Sequence, residues 1–273
     1  METVILGGAQ AAFPVAKPVE IGAGAAKVIC SVSGADAAQL VAQLQQIDFT
    51  QVDLVEWRVD SLASFADAII SGVSRVVRRE SPVPILATFR TTTEGGTGDF
   101  AEYYRVLATL ISCGVDAIDI EYTHGQAKEI IEKAVVNGVV PVLSKHDQYA
   151  TGKVETILAE LQEMQRFVGE TVLKTRLELG NDDPSFVGAG VIKYVSYATA
   201  PMDALKLMLA SRHFVETMQK LPMITLSMGK AGQVTRVFPA TSGSAATFAS
   251  VNDSFTAVGQ LDHKIYQYLP AGL

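Results

Sequence analysis

Gly190-Val191-Ile192-Lys193-Tyr194-Val195-Ser196 is a run of β-branched and aromatic residues with one cation at its centre. An apolar run that does not alternate with polar residues describes a strand buried on both faces, and parallel α/β sheets are where both faces are covered. A lysine is out of place in such a strand. Either its stem snorkels from the strand end to water, or the amine sits in a desolvated pocket where it loses its proton easily and becomes a nucleophile. The residues around it have to decide.

On both sides of this run one rhythm repeats, a short β-branched segment followed by an amphipathic one. Strands are expected at residues 27–32, 52–59, 84–89, 117–120, 139–143, 191–195, 223–226 and 243–249. Helices between them are expected to bury Leu40, Val41, Leu44 and Ile47, then Phe65, Ile69, Val73 and Val76, then Tyr104, Leu107, Ala108 and Ile111. Further stripes are Ile130, Ile131 and Ala134, then Ile157, Leu158, Leu161 and Met164, and a helix over residues 205–218. Repeated βα units build a doubly wound sheet or a (β/α)8 TIM barrel, and about eight units in 273 residues fit the barrel. With 48% hydrophobic residues and no Pro/Ser-rich or single-charge linker, one domain over residues 1–273 is expected. Residues 1–25 precede the repeat and are expected to cap one barrel mouth, and residues 262–269 to form a closing helix.

The formal net charge of −7 argues against a non-specific nucleic-acid binder, which needs a basic stripe to displace phosphate counterions. Cys30 and Cys113 are the only cysteines, lie in apolar surroundings and have no CxxC spacing, so they read as buried thiols in a reducing compartment. His124, His146, His213 and His263 show no HxH or HExxH pairing, which leaves no metal signature. The first residues carry no basic segment leading into an apolar core, and no run reaches membrane-spanning length, so no membrane partner and a cytoplasmic location are expected.

In a barrel, functional groups collect at the carboxyl ends of the strands and in the loops that follow. Ser31 ends the first strand, and alternation puts Glu56, Arg58 and Asp60 on one face of the second. That trio fits a substrate cage or an internal ion-pair layer that fills the barrel. Arg90 ends the third strand, and Glu94 follows in a glycine-rich loop that lacks the spacing of a phosphate cradle and reads better as a mobile loop over the mouth. Asp119 and Glu121 share a face of the fourth strand, and Ser144-Lys145-His146-Asp147 closes the fifth. His146 therefore lies one strand before Lys193. A histidine beside a desolvated lysine is the minimum equipment for removing a proton α to a carbonyl that has become an iminium.

With Glu56-Trp57-Arg58-Val59-Asp60, Thr88-Phe89-Arg90, Glu94-Gly95-Gly96, Ile118-Asp119-Ile120-Glu121, Ser144-Lys145-His146-Asp147, Leu226-Ser227-Met228-Gly229-Lys230, Arg236, Gly243-Ser244-Ala245-Ala246-Thr247-Phe248 and Gly259-Gln260 in this order, the chain resembles the type I 3-dehydroquinate dehydratases. These shikimate-pathway enzymes form a lysine Schiff base. The resemblance implies His146 as general acid/base, Lys193 as the imine-forming amine and Glu94 as the carboxylate that pairs with the histidine. It implies substrate contacts from Ser31, Glu56, Arg58, Arg90, Met228, Thr256 and Gln260, with Arg236 holding the substrate carboxylate. It further implies 3-dehydroquinate as the small-molecule partner, a homodimer, and no metal or organic cofactor, because the protein supplies its own electrophile.

Departures from the family pattern mark what the structure has to settle. Between His146 and Lys193 the chain is longer than familiar members by about 20 residues, which makes Lys174 a competitor for the amine position. Thr256 stands where serine is usual and Leu226 where methionine is. Lys145 occupies a place where an uncharged residue is more familiar, and a second cation there is expected to lower the pKa values of His146 and Lys193. Two other functions share parts of this equipment: a class I aldolase would share Lys193, and a non-catalytic sensor would keep the pocket without turnover.

Overall fold

The computed structural model describes residues 2–8, 15–180, 190–252 and 254–268. A hairpin of β1 (Val4–Leu6) and β2 (Val19–Ile21) precedes eight parallel strands: β3 (Lys27–Ser33), β4 (Leu54–Arg58), β5 (Ile85–Thr88), β6 (Ala117–Glu121), β7 (Val140–Asp147), β8 (Val191–Tyr197), β9 (Met223–Met228) and β10 (Ala246–Ser250). The helices outside them are α1 (Ala37–Leu44), α2 (Asp67–Glu80), α3 (Tyr103–Ser112), α4 (Ala127–Val136), α5 (Val154–Glu178) and α6 (Pro201–Thr217), with the short α7 (Gln233–Val237) and α8 (Pro239–Ser242) after β9.

Strand neighbours follow chain order from β3 to β9, and β10 pairs back onto β3, which is the order of a (β/α)8 barrel. The seam lies between β9 and β10. At its base the Ala245 N–H donates to the Met223 carbonyl (2.7 Å) and the Thr225 N–H to the Ser244 hydroxyl (3.0 Å). At its top a two-residue strand, β11 (Leu261–Asp262), pairs with the end of β10 on the side away from β3.

Alternation along each strand divides the side chains between two cores. Cys30, Val32, Val55, Trp57, Ile85, Ile118, Ile120, Leu143, Ile192 and Tyr194 point outward under the helices. Inside the barrel, Ile29, Leu54, Leu86, Ala117, Val140, Val142, Val191 and Ile224 fill the amino-terminal half together with Val4, Leu6, Val19 and Ile21 of the hairpin. The hairpin thus puts apolar side chains into the bottom of the barrel, and water is kept out from that end. Inward polar residues are left to the carboxyl-terminal half.

Several local expectations shift. In α2 the buried residues are Ile70, Val73, Ser74 and Val77, while Ile69 is exposed, because the helix begins at Asp67 and excludes Phe65. In α3 Tyr103, Val106, Leu107, Leu110 and Ile111 face the sheet, with Tyr104 and Ala108 at the edge of the stripe. Cys30 is buried, but Cys113 is only half-buried, at the end of α3. At the place of the closing helix expected over residues 262–269, β11 leads into a six-residue 3-10 helix, His263–Tyr268; residue 269 lies outside the described residues, as do residues 1 and 9–14 of the amino-terminal segment. The extra length before Lys193 is partly spent on α5, which runs 25 residues. Lys174 lies on its outer surface, its side chain 62% exposed and paired with Glu178 at 3.7 Å. Residues 181–189, the rest of that segment, lie outside the described residues.

Candidate active site

Lys193 is the third residue of β8, 4% exposed, in register with Ser144 of β7. Its position in the strand directs the amine into the barrel, where Nζ donates to Asp119 Oδ2 at 3.0 Å, lies 3.8 Å from Glu56 Oε1 and sits 4.4 Å from the centre of the Phe248 ring. Among the two lysines the sequence offers, only Lys193 reaches the barrel interior. Asp119 is a partner that strand alternation in residues 117–121 places on one face with Glu121, without indicating which cation it meets.

His146 also points inward, near the end of β7. Its Nδ1 lies 2.8 Å from Glu94 Oε2. Burial first, then the nearby charges of Arg90 and Lys193, hold its pKa well below the usual 6.5, so the ring is neutral at pH 7. Burial likewise pushes Glu94 up to about 7, against the pull of Arg90 and with Glu121 and Asp119 adding to the rise. Both shifts have burial as their largest cause.

The loop that carries Glu94 is held closely. Gly96 N–H donates to Thr91 O (2.8 Å), Gly98 N–H to Arg90 O (2.9 Å), Thr97 Oγ1 to Asp60 O (2.7 Å) and Gln148 Nε2 to Glu94 O (2.7 Å). A Cβ on Gly96 would stand 2.2 Å from the Arg90 carbonyl oxygen, so the glycines let the chain fold back on itself. These bonds set how the loop expected over the mouth delivers its carboxylate. This loop inserts Glu94 from the side, and it is residues 254–260 that lie over the cavity.

Arg90 is the centre of a buried ion network. One terminal nitrogen contacts Glu94 (3.1 Å), Glu121 (3.1 Å) and the Ser144 hydroxyl (3.2 Å), and the other donates to Asp119 (2.6 Å). Burial works against its charge, yet Asp119, Glu94 and Glu121 together keep it a cation. Asp119 is held well below the usual carboxylate range, burial opposing and Arg90 and Lys193 prevailing. Arg58 grips Asp60 with Nε and a terminal nitrogen (2.9 and 2.8 Å) and donates to the Thr256 carbonyl at 3.1 Å. Glu56 accepts from the hydroxyls of Ser31 (2.6 Å) and Thr88 (2.9 Å).

Arg236, on α7, is different. It is buried to 1% exposure; among the described residues its guanidinium makes a 3.4 Å bond to the Phe248 carbonyl, and Nε and the second terminal nitrogen have no hydrogen-bond partner. Burial brings its pKa down to about 10, with Tyr266 and Glu56 opposing, so it remains charged at neutral pH. A buried cation with two unused donors on a cavity wall is a receptor for a planar anion.

These groups line one cavity of about 50 Å³, together with Leu226, Met228, Thr256 and Gln260. Gln260 fastens the roof: Oε1 accepts from Thr256 N–H (2.8 Å) and Nε2 donates to Ser31 Oγ (3.3 Å). Gly229 N–H donates to Val258 O (3.1 Å), latching the segment to the turn after β9. Of the site residues expected from sequence, His146, Glu56, Arg58, Arg90, Met228, Arg236, Thr256, Gln260 and Lys193 line the cavity, while Ser31 and Glu94 stand directly behind Glu56 and His146. Lys145 does not join them. Alternation turns it outward to Glu160 on α5, and His146 owes its lowered pKa to burial, Arg90 and Lys193 instead. Among the described residues no group of three or more His, Cys, Asp or Glu side chains is arranged to hold a metal ion, and no helix is long and apolar enough to cross a membrane.

Fold and site define a (β/α)8 barrel whose mouth is built around an amine, an imidazole and a guanidinium with unpartnered donors. The chain belongs to the type I 3-dehydroquinase family, whose model matches residues 28–174 and 185–269. The unmatched residues 175–184 begin in the last turn of α5, so Lys193 falls in the second matched block. The chain is 32% identical over 252 residues to the 3-dehydroquinate dehydratases of Shigella dysenteriae and of Escherichia coli, covering 90% of this chain and 92% of theirs. Its structure resembles the type I 3-dehydroquinate dehydratase from Clostridium difficile, with a TM-score of 0.76, 26% identity and coverage of 93% and 94% of the two chains. The 3-dehydroquinate dehydratase from Geobacillus kaustophilus has the same fold, with a TM-score of 0.78 at 23% identity over 98% and 95% of the chains.

Proposed function

We propose that the chain is a 3-dehydroquinate dehydratase that converts 3-dehydroquinate to 3-dehydroshikimate through an imine on Lys193. The observation that carries this reading is Arg236, a buried cation with two unpartnered nitrogens on the wall of the cavity that Lys193 and His146 share. The substrate carboxylate on Arg236 places the ring ketone toward Lys193, with Met228 as an apolar wall and the Ser31, Glu56 and Gln260 cluster facing the hydroxyls.

The amine of Lys193 adds to the C3 ketone, and loss of water from the carbinolamine leaves an iminium. His146 removes a proton from C2, and the C–H electrons move to nitrogen as an enamine. The enamine expels the C1 hydroxyl, which takes the proton from His146 and leaves as water. Hydrolysis of the conjugated iminium frees 3-dehydroshikimate and Lys193. Base catalysis by His146 needs the tautomer with the proton on Nδ1, donated to Glu94 carboxylate, so that Nε2 carries the lone pair. The electron sink is the protein's own amine.

Charge also separates this reading from a class I aldolase acting on a phosphate ester. Arg58 and Arg90 are already neutralised by Asp60 and by Asp119, Glu94 and Glu121. Arg236 is thus the cation left for ligand in the described lining, matched to a single carboxylate. Thr256, Ala257 and Gln260 lie on the cavity wall beside these groups, so the position of residues 254–260 governs how substrate enters. Borohydride reduction with 3-dehydroquinate, followed by peptide mass mapping, should place the adduct on Lys193 while the untreated enzyme makes an ultraviolet-absorbing enone. An adduct on Lys174, or none, would refute the mechanism, and binding without turnover would favour a sensor.

A further inference from the structure

The side chains that follow the two central groups in sequence point away from the cavity, and they meet. In the β7/β8 register Lys145 lies opposite Tyr194 and His146 opposite Val195, so Lys145, Asp147 and Tyr194 face outward while His146 and Lys193 face inward. Tyr194 is fully buried and its hydroxyl donates to Asp147 Oδ2. Lys145 Nζ contacts Glu160 of α5 and lies 3.7 Å from Asp147 Oδ1. Burial, then the bond to Asp147, keeps the phenol protonated far above its usual range, so it remains a donor.

We propose that Tyr194, Asp147, Lys145 and Glu160 are positioning residues, a clamp behind the barrel wall that fixes the distance and tilt of His146 relative to Lys193. The β7 ladder ends at Asp147, one residue beyond His146, so main-chain bonds alone leave that strand end free to twist. The clamp ties the residue before His146, the residue after it and the residue after Lys193 to each other and to one helix. Buried polar clusters of this kind hold one arrangement, because loss of any member leaves its partners without bonds. Lys145, the unusual cation in its family position, here bridges the strand pair to α5.

The role rests on the imine mechanism above, and the experiment keeps the two separable. In wild type, Tyr194→Phe, Lys145→Met and Lys145→Arg, one measures kcat, KM, melting temperature and the isotope effect on kcat with substrate deuterated at C2. Addition of the amine needs Lys193 alone, whereas proton removal needs His146 in line with the C2–H bond. Tyr194→Phe and Lys145→Met should therefore lower kcat about 10- to 100-fold with KM within about threefold, and raise the isotope effect; Lys145→Arg, which keeps the cation, should restore both. A fall in melting temperature with kcat and isotope effect unchanged overturns the clamp and leaves the mechanism standing. If Tyr194→Phe does not fold, the two variants at the partly exposed Lys145 decide the matter alone. Absence of turnover in the wild type overturns the mechanism and the clamp with it.

Discussion

Arg236→Met keeps most of the side-chain volume and removes the charge, which should stabilise the free protein while disabling it. Burial moves the guanidinium from an ordinary 12.5 to about 10. At about 1.4 kcal/mol per tenfold change in acidity, the charged form is less stable in the fold than in water by about 3 kcal/mol, or about 1–3 after the screening found in real protein interiors. The folded pKa of this cation lies below the unfolded one, so the penalty is present in full at neutral pH and is relieved only as pH rises from about 10 toward 12.5. For a chain of this size, removing it should raise the melting temperature by about 2–8 °C. The substrate carboxylate meanwhile loses two charge-assisted bonds worth about 1.5–3 kcal/mol each, a fall in kcat/KM of about 10² to 10⁴. Differential scanning fluorimetry on the free enzyme and steady-state enone formation test the two halves. A variant that melts several degrees lower, or one that keeps kcat/KM within threefold, would show that Arg236 is a structural cation.

Because Glu94 titrates near 7 and accepts the Nδ1 proton only as a carboxylate, kcat/KM should climb as pH rises through about 7. Arg90 and Thr123 donate to its two oxygens, so Glu94→Gln should place its carbonyl oxygen beside His146 and Arg90, hold the active tautomer at every pH and flatten the profile between pH 6 and 8; an unchanged profile refutes this. The raised pKa of Glu94 also means that the native state is penalised above pH 7 and spared below 4.5, so Glu94→Gln should gain melting temperature at pH 8 and little at pH 4.5. Lys193→Ala should abolish the borohydride adduct and lower kcat by more than about 10³, while Lys174→Ala should stay within twofold. At Gly259 φ is +86° and a Cβ would stand 2.6 Å from the Gly229 carbonyl oxygen, so Gly259→Ala should unlatch residues 254–260, raise KM about tenfold or more and open that segment to limited proteolysis.

Much of the barrel is legible because its signal is local. The helices at Ile130 and Ile157 declare themselves by period, and the strand through Lys193 by its short β-branched and aromatic run. Where period is ambiguous, as in residues 65–80, the stripe slips: Ile69 and Ile70 are interchangeable in sequence, and only the docking of α2 on the sheet exposes the first and buries the second. Glu56, Arg58, His146 and Lys193 could be placed on the inner face because a strand end and an alternation suffice. Their partners could not, since Asp119 lies 74 residues from Lys193 and Gln260 lies 229 from Ser31, and no local pattern reports a contact at that range.

The sequence by itself therefore determined the βα rhythm, the inward face of each strand and a resemblance that names the chemistry. Tertiary structure alone decided which lysine enters the barrel, that Lys145 meets Glu160 of α5, that Glu94 reaches His146, and that Arg236 keeps unpartnered donors among the described residues. The physical reason is that charge, burial and hydrogen-bond satisfaction are properties of surroundings assembled from distant segments, whereas periodicity is written along the chain.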